Sequence, residues 1–122
     1  MENIKNYIIE KLKINSKTKI TNNININELK CGDIIVYKSI TFDNYKIGIF
    51  LKYSKKYDII ELLASYDYET KKFHEQMSTW SDKIEDIKYA SQEEIDELME
   101  IIDKNGYRYN VKGKNKIEVV KK

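Results

Sequence analysis

Between residues 34 and 66 the apolar positions fall into three runs, each rich in β-branched and aromatic side chains and bounded by polar turn formers. The runs are "IIVY" at 34–37, "YKIGIFLKY" at 45–53 and "YDIIELLASY" at 57–66. Side chains that fit a pleated, half-buried surface predict strands. Connections this short exclude helical crossovers, so neighbouring strands should run antiparallel. Gly48, inside the second run, predicts a bulge or the close approach of another backbone. "YDYETKKFHEQM" extends the meander as a hairpin turning near residues 69–71, with a fourth strand over 73–77. A polar loop, "STWSDK", follows at 78–83, and then a short strand in "IEDIKYA".

At both ends the period changes. Ile4, Tyr7, Ile8 and Leu12 are spaced for a short amphipathic helix over 2–13. The asparagine-rich stretch 15–27, with Ile20, Ile24 and Ile26 alternating, suits a loop or irregular edge strand. Further on, Ser91 and Glu94 form the sequence signature of a capping box. Ile95, Leu98, Met99 and Ile102 repeat at i, i+3, i+4 and i+7, and Gly106 stands where a left-handed terminating residue is expected, which predicts a helix over 92–104. "YRYNV" and "KIEVV" flank "KGKN" in the layout of a hairpin turning at 112–115. Alternation along its first strand points Tyr107 and Tyr109 to one face and Arg108 to the other. The expected fold is one α+β domain over 1–122: a small antiparallel β-sheet (meander) with a short N-terminal helix, a C-terminal amphipathic helix and a terminal β-hairpin.

Composition narrows the setting. At 122 residues the chain can bury a core without disulfides, and its single cysteine, Cys31, has no internal partner, as expected in a reducing cytoplasm. The start "MENIKNYIIEKLKI" is broken by charge every few residues, unlike an export signal, and no stretch approaches the roughly 20 apolar residues of a membrane span. The net charge of +2 does not announce a nucleic-acid binder. Charge is nevertheless segregated: Glu93, Glu94, Asp96, Glu97, Glu100 and Asp103 precede a basic tail carrying Lys104, Arg108, Lys112 and Lys114. Arg108 is the lone arginine of a chain biased toward isoleucine, lysine, asparagine and tyrosine, a bias that AT-rich codons produce. Its planar guanidinium can bond two oxygens at once and stack on an aromatic face, which lysine cannot do.

Candidate chemistry is sparse. His74 is the only histidine, and nothing in the sequence brings it to Cys31 as a base brings itself to a nucleophile. One histidine and one cysteine match no zinc pattern, and four isolated glycines cannot build a phosphate loop, so neither a metal nor a cofactor is expected. Aromatic side chains, by contrast, are abundant: ten tyrosines, three phenylalanines and Trp80, several in polar contexts such as "STWSDK" and "NGYRYN". Such rings either cap the edge of a small core or form a platform for a base, with nearby lysine or arginine taking the phosphate.

The stretch "ASQEEIDELMEIIDKNGYRYN" at 90–110 resembles a C-terminal pattern of small bacteriophage and prophage proteins: Ala, Ser or Thr, two acidic residues, an amphipathic helix, then Gly-Tyr-Arg-Tyr/Trp-Asn. With its length and sheet-then-helix order, the chain is similar to the first Thoeris anti-defence family, whose members sequester cyclic ADP-ribose isomers made by TIR-domain enzymes. The resemblance implies a non-enzymatic sponge in the cytoplasm of an infected or lysogenic host, assembled as a homo-oligomer with ligand sites between subunits. For such a ligand, Arg108 would bond the diphosphate, and Trp80, Tyr107 or Tyr109 would stack on adenine. Asn110, Ser91 and Asp82 would meet hydroxyls. Two other readings compete: an inhibitor that binds a host defence protein directly, in the manner of an anti-CRISPR, and a nucleic-acid binder using the basic hairpin, which the adjacent acidic helix disfavours.

Overall fold

A computed structural model describes residues 24–113 and 116–122, so the predicted N-terminal helix over 2–13 lies outside the described residues. Five strands, β1 (Ile34–Ser39), β2 (Asn44–Ser54), β3 (Ile59–Asp67), β4 (Lys72–Trp80) and β5 (Ile84–Tyr89), form one antiparallel sheet in the order β4-β3-β2-β1-β5. Helix α1 (Gln92–Lys104) and a hairpin of β6 (Tyr107–Gly113) and β7 (Lys116–Lys121) complete the chain. The first three connections, 40–43, 55–58 and 68–71, each end on a residue in the left-handed region: Asp43 at φ 53, Asp58 at φ 56 and Lys71 at φ 58. Aspartate tolerates that conformation. The lysine is held there by Asp67, whose Oδ1 accepts from the Glu69 and Thr70 N–H groups at 2.8 and 3.1 Å.

The sheet cannot be flat. From Trp80 to Ile84 is four residues, a reach of about 14 Å, yet β4 and β5 lie on opposite edges, four strand spacings or about 19 Å apart if unrolled. Strand bends resolve the conflict. Ile49 and Phe50 of β2 pair with Ala64 and Leu62, leaving Leu63 of β3 as an extra residue, and the register shifts again before Lys52. In β5, Asp86 at φ 53 bulges where β1 steps from Val36 to Lys38. Bulges and bends of this kind let strands turn a corner. The sheet thus curls into a small open barrel in which β4 and β5 remain unpaired edges, and a three-residue 3-10 turn, Ser81–Lys83, crosses its mouth.

The roll divides the apolar residues in two. Inside lie Ile35, Tyr37, Phe50, Ile60, Leu62, Ile84 and Ile87, with Leu29 beneath them. Outside, Val36, Ile47, Ile49 and Ala64 meet Leu98 and Ile102 of α1 and Val119 of β7. Gly48 explains how the interior closes. A Cβ there would stand 3.0 Å from the Ala64 carbonyl oxygen and 3.1 Å from Leu62 Cδ1, so the expected close approach of another backbone is present. The same gap admits the Tyr37 ring, which passes over β2 so that its hydroxyl meets Ser65 Oγ at 2.8 Å. Burial raises the Tyr37 pKa well above the ordinary range, so this ring stays neutral.

Two expectations need correction. "STWSDK" is not a loop throughout: Ser78, Thr79 and Trp80 continue β4, because Glu61, Ile60 and Ile59 supply partners and an edge strand tolerates polar side chains. Likewise, the end of the asparagine-rich stretch packs. Asn25 caps a 3-10 turn at Ile26–Glu28, the Ile24 N–H donates to the Ile87 carbonyl at 2.9 Å, and Ile24 and Ile26 lie against the barrel interior.

Gly48→Ala should destabilise the fold by about 1–3 kcal/mol through overpacking, and Tyr37→Phe by about 1 kcal/mol through the unpaired Ser65 hydroxyl. Urea denaturation of both variants tests this, and an unchanged midpoint for Gly48→Ala would mean the interior is looser than described.

Candidate functional site

Helix α1 fixes where the C-terminal hairpin begins. Ser91 Oγ accepts from the Glu94 N–H at 3.2 Å while Glu94 Oε1 accepts from the Ser91 N–H at 2.7 Å, the reciprocal capping box that the sequence predicts. The buried face is Glu94, Leu98 and Ile102, with Met99 packed beside it. At the other end Gly106 takes φ 82, and its N–H donates to the Asp103 carbonyl at 3.0 Å, which turns the chain back into β6.

The hairpin displays Arg108 outward. Tyr107 packs on Phe73 of β4 with ring centroids 5.4 Å apart, and Tyr109 lies against the outer core opposite Val119. Burial raises the Tyr109 pKa, with the nearby Cys31 thiol adding to it. Arg108, between these two anchors, is exposed and forms no ion pair with a described residue. Asn110 shares the outward face, where its Nδ2 donates to Glu118 Oε1 across the hairpin at 3.4 Å.

A second surface lies at the barrel mouth. Trp80 ends β4 with 54% of its surface exposed. Asp58, in the β2–β3 connection, gathers this region: the Ser81 N–H donates to its carbonyl at 3.0 Å, Tyr53 OH donates to its Oδ1 at 2.7 Å, and Ser81 Oγ donates to the same oxygen. The Ser81 bond and then the Tyr53 bond hold the Asp58 carboxyl below its ordinary pKa. At the far end of the crossing, the Ile40 N–H donates to the Lys83 carbonyl at 2.9 Å. The crossing therefore draws the β1–β2 and β2–β3 connections together. With them come Ile40, Phe42 and Tyr57, which are exposed alongside Trp80, and Lys56, whose ammonium sits 5.3 Å from the Tyr57 ring centroid. Asp82 stands exposed on the crossing itself.

The residues singled out from the sequence thus fall into three places. Arg108, Tyr107, Tyr109 and Asn110 share the hairpin, Trp80 and Asp82 share the barrel mouth, and Ser91 is occupied as the helix cap. Phe73, which carries Tyr107, is seven residues from Trp80, about 23 Å of strand. Arg108 and Trp80 of one chain thus stand toward opposite ends of β4. Cys31 and His74 are not brought together in the sheet order: Cys31 precedes β1, and His74 lies on β4, three strands away. Sequence reasoning missed Phe42, Ile40 and Tyr57. The signal for Phe42 was a large apolar ring in the turn "TFDN", where burial is impossible in a tight connection.

No protein-family model, curated protein or solved structure matches the chain.

Ser91→Ala should cost about 1 kcal/mol of stability, read by urea denaturation, because it removes a helix cap. A second test concerns acid. Since the Asp58 pKa is depressed in the folded state, its bonds to Ser81 and Tyr53 add stability above the ordinary carboxylate range, and that stability is lost as pH falls through it. Asp58→Asn keeps the left-handed turn and should flatten the fall in melting temperature between about pH 5 and pH 2; identical acid limbs would show that the Asp58 network is energetically silent.

Proposed function

We propose that this chain is a non-enzymatic binding protein that captures a cyclic ADP-ribose-type signalling nucleotide, glyco-cyclic ADP-ribose made by TIR enzymes, and holds it uncleaved in the bacterial cytoplasm, so that Thoeris immunity stays off. The observation that carries this reading is the presentation of Arg108: the lone guanidinium is held outward, without a described ion-pair partner, on a strand whose neighbouring tyrosines anchor it to the core. A diphosphate is the ligand group that rewards a planar, bidentate donor over an ammonium. Because Arg108 and Trp80 of one chain stand far apart, a nucleotide that meets both sits between two copies, with the diphosphate on the hairpin of one and the adenine on the barrel mouth of the other. The reading therefore includes a homo-oligomer.

A second reading is an inhibitor that binds a host defence protein directly. It is favoured by the exposure of Ile40, Phe42, Tyr57 and Trp80 on or beside connections that the crossing ties together, since large apolar side chains exposed in one region mark interaction sites.

Mixing the purified protein with the nucleotide product of a TIR enzyme, removing free ligand by filtration, heating, and identifying what is released by mass spectrometry separates these. Intact cyclic nucleotide supports sequestration, a linear product means catalysis, and no retained nucleotide favours the protein partner. Arg108→Lys should weaken retention about tenfold or more, near 1.4 kcal/mol, without lowering the melting temperature. Unaltered affinity in that variant would remove the diphosphate from the hairpin.

A further inference from the structure

The barrel mouth also contains a cavity that the nucleotide reading leaves unused. Its volume is about 230 Å³, and Tyr37, Phe42, Met77 and Ile84 line it with Ser39 and Thr41. Lys46 and Lys83 line it too, together with the hydroxyl-bearing Thr79, and no carboxylate is among its lining residues. Those nearby are engaged. Asp43 pairs with Lys38 at 2.7 Å, and the two oxygens of Asp67 accept from Asn44 Nδ2 at 2.9 and 2.8 Å while Oδ1 also takes backbone N–H groups.

Lys46 is the informative residue. Its side chain is 13% exposed, and its ammonium lies 3.8 Å from Asp67 Oδ2, close enough for attraction but too far for a hydrogen bond. No described residue accepts a hydrogen bond from it. Its Nζ is not among the described residues' fully buried polar atoms that lack a partner, so its free donors open to solvent and are available to an anion entering the cavity. Across the cavity, Lys83 is exposed on the crossing turn and pairs with no described carboxylate. Two lysines thus line a space whose other walls are the Tyr37 and Phe42 rings, the Met77 thioether, Ile84 and the hydroxyl-bearing Ser39, Thr41 and Thr79. A polar anion alone would leave the rings, Met77 and Ile84 uncovered, and an uncharged ring would leave the lysines unmatched.

We infer that this cavity binds a small anion bearing a flat apolar ring, its carboxylate or phosphate between Lys46 and Lys83 and its ring between Phe42 and Met77. Met77 suits the role, since a thioether packs favourably against an aromatic ring. The volume is below the roughly 300 Å³ at which drug-sized sites begin, so a single-ring ligand fits and a dinucleotide does not. Arg108 takes no part, and the inference stands whether or not a nucleotide is sequestered elsewhere.

The test is a titration of benzoate into the full chain, followed by methyl resonances in NMR, with benzamide as the uncharged control. Benzoate should shift the Met77, Thr79 and Ile84 methyl signals saturably, benzamide should bind about tenfold more weakly, and Lys83→Gln and Phe42→Ala should each weaken benzoate several-fold. Both substituted positions are exposed, Phe42 by 73%, so the variants keep the fold. Absence of saturable shifts at these methyls, equal binding of benzamide, or unchanged benzoate affinity in both variants would overturn the assignment.

Discussion

The short crossing from β4 to β5 governs this molecule. Three residues, Ser81–Lys83, must join strands on opposite edges of a five-stranded sheet, and the only solution within their reach is to roll the sheet until the edges approach. The bulges at Leu63 and Asp86, the missing side chain at Gly48 and the Tyr37 ring that passes over it are consequences of that roll. Each belongs to a sheet with a distinct inside and outside, which a flat one of this size lacks. The crossing is itself held at both ends, by Asp58 before it and by Ile40 after it.

The roll also creates the surfaces on which the proposed readings rest. Connections that would lie at opposite ends of a flat sheet are both tied to the crossing, where Ile40, Phe42, Tyr57 and Trp80 are exposed and Phe42 lines a cavity with Lys46 and Lys83. The outer face of the sheet is left apolar by the same alternation, and α1 with its hairpin covers it. Glu94 shows how tightly that layer is fitted. It is 4% exposed, its Oε1 completes the capping box, and its carboxylate, after burial itself, raises the pKa of the buried Tyr68 hydroxyl. The hairpin then spends two tyrosines on anchorage and leaves the guanidinium to solvent, a division of labour consistent with a binding surface.

Local patterns were legible because they depend on neighbours in sequence. The three central strands, the capping box at Ser91, the glycine that ends α1 and the inward turn of Tyr107 and Tyr109 all follow from periodicity and turn chemistry. Gly48 was legible as a close approach, although not as the passage for Tyr37. Less could be read where a polar stretch takes its structure from partners elsewhere. Thr79 and Trp80 are strand only because Ile60 and Ile59 pair with them, and Ile24 packs only because β5 offers the Ile87 carbonyl.

The candidate site divides along the same line. Sequence alone determined that Arg108 would face away from its tyrosines, since alternation on a strand is a property of the backbone. Tertiary structure decided that Trp80 stands at the far end of β4 from that arginine and that Phe42 and Lys46 line a cavity with Met77. Those outcomes rest on contacts between residues dozens of positions apart. They are set by how far three residues can reach and by which bulges allow the sheet to follow, and no local pattern encodes that sum.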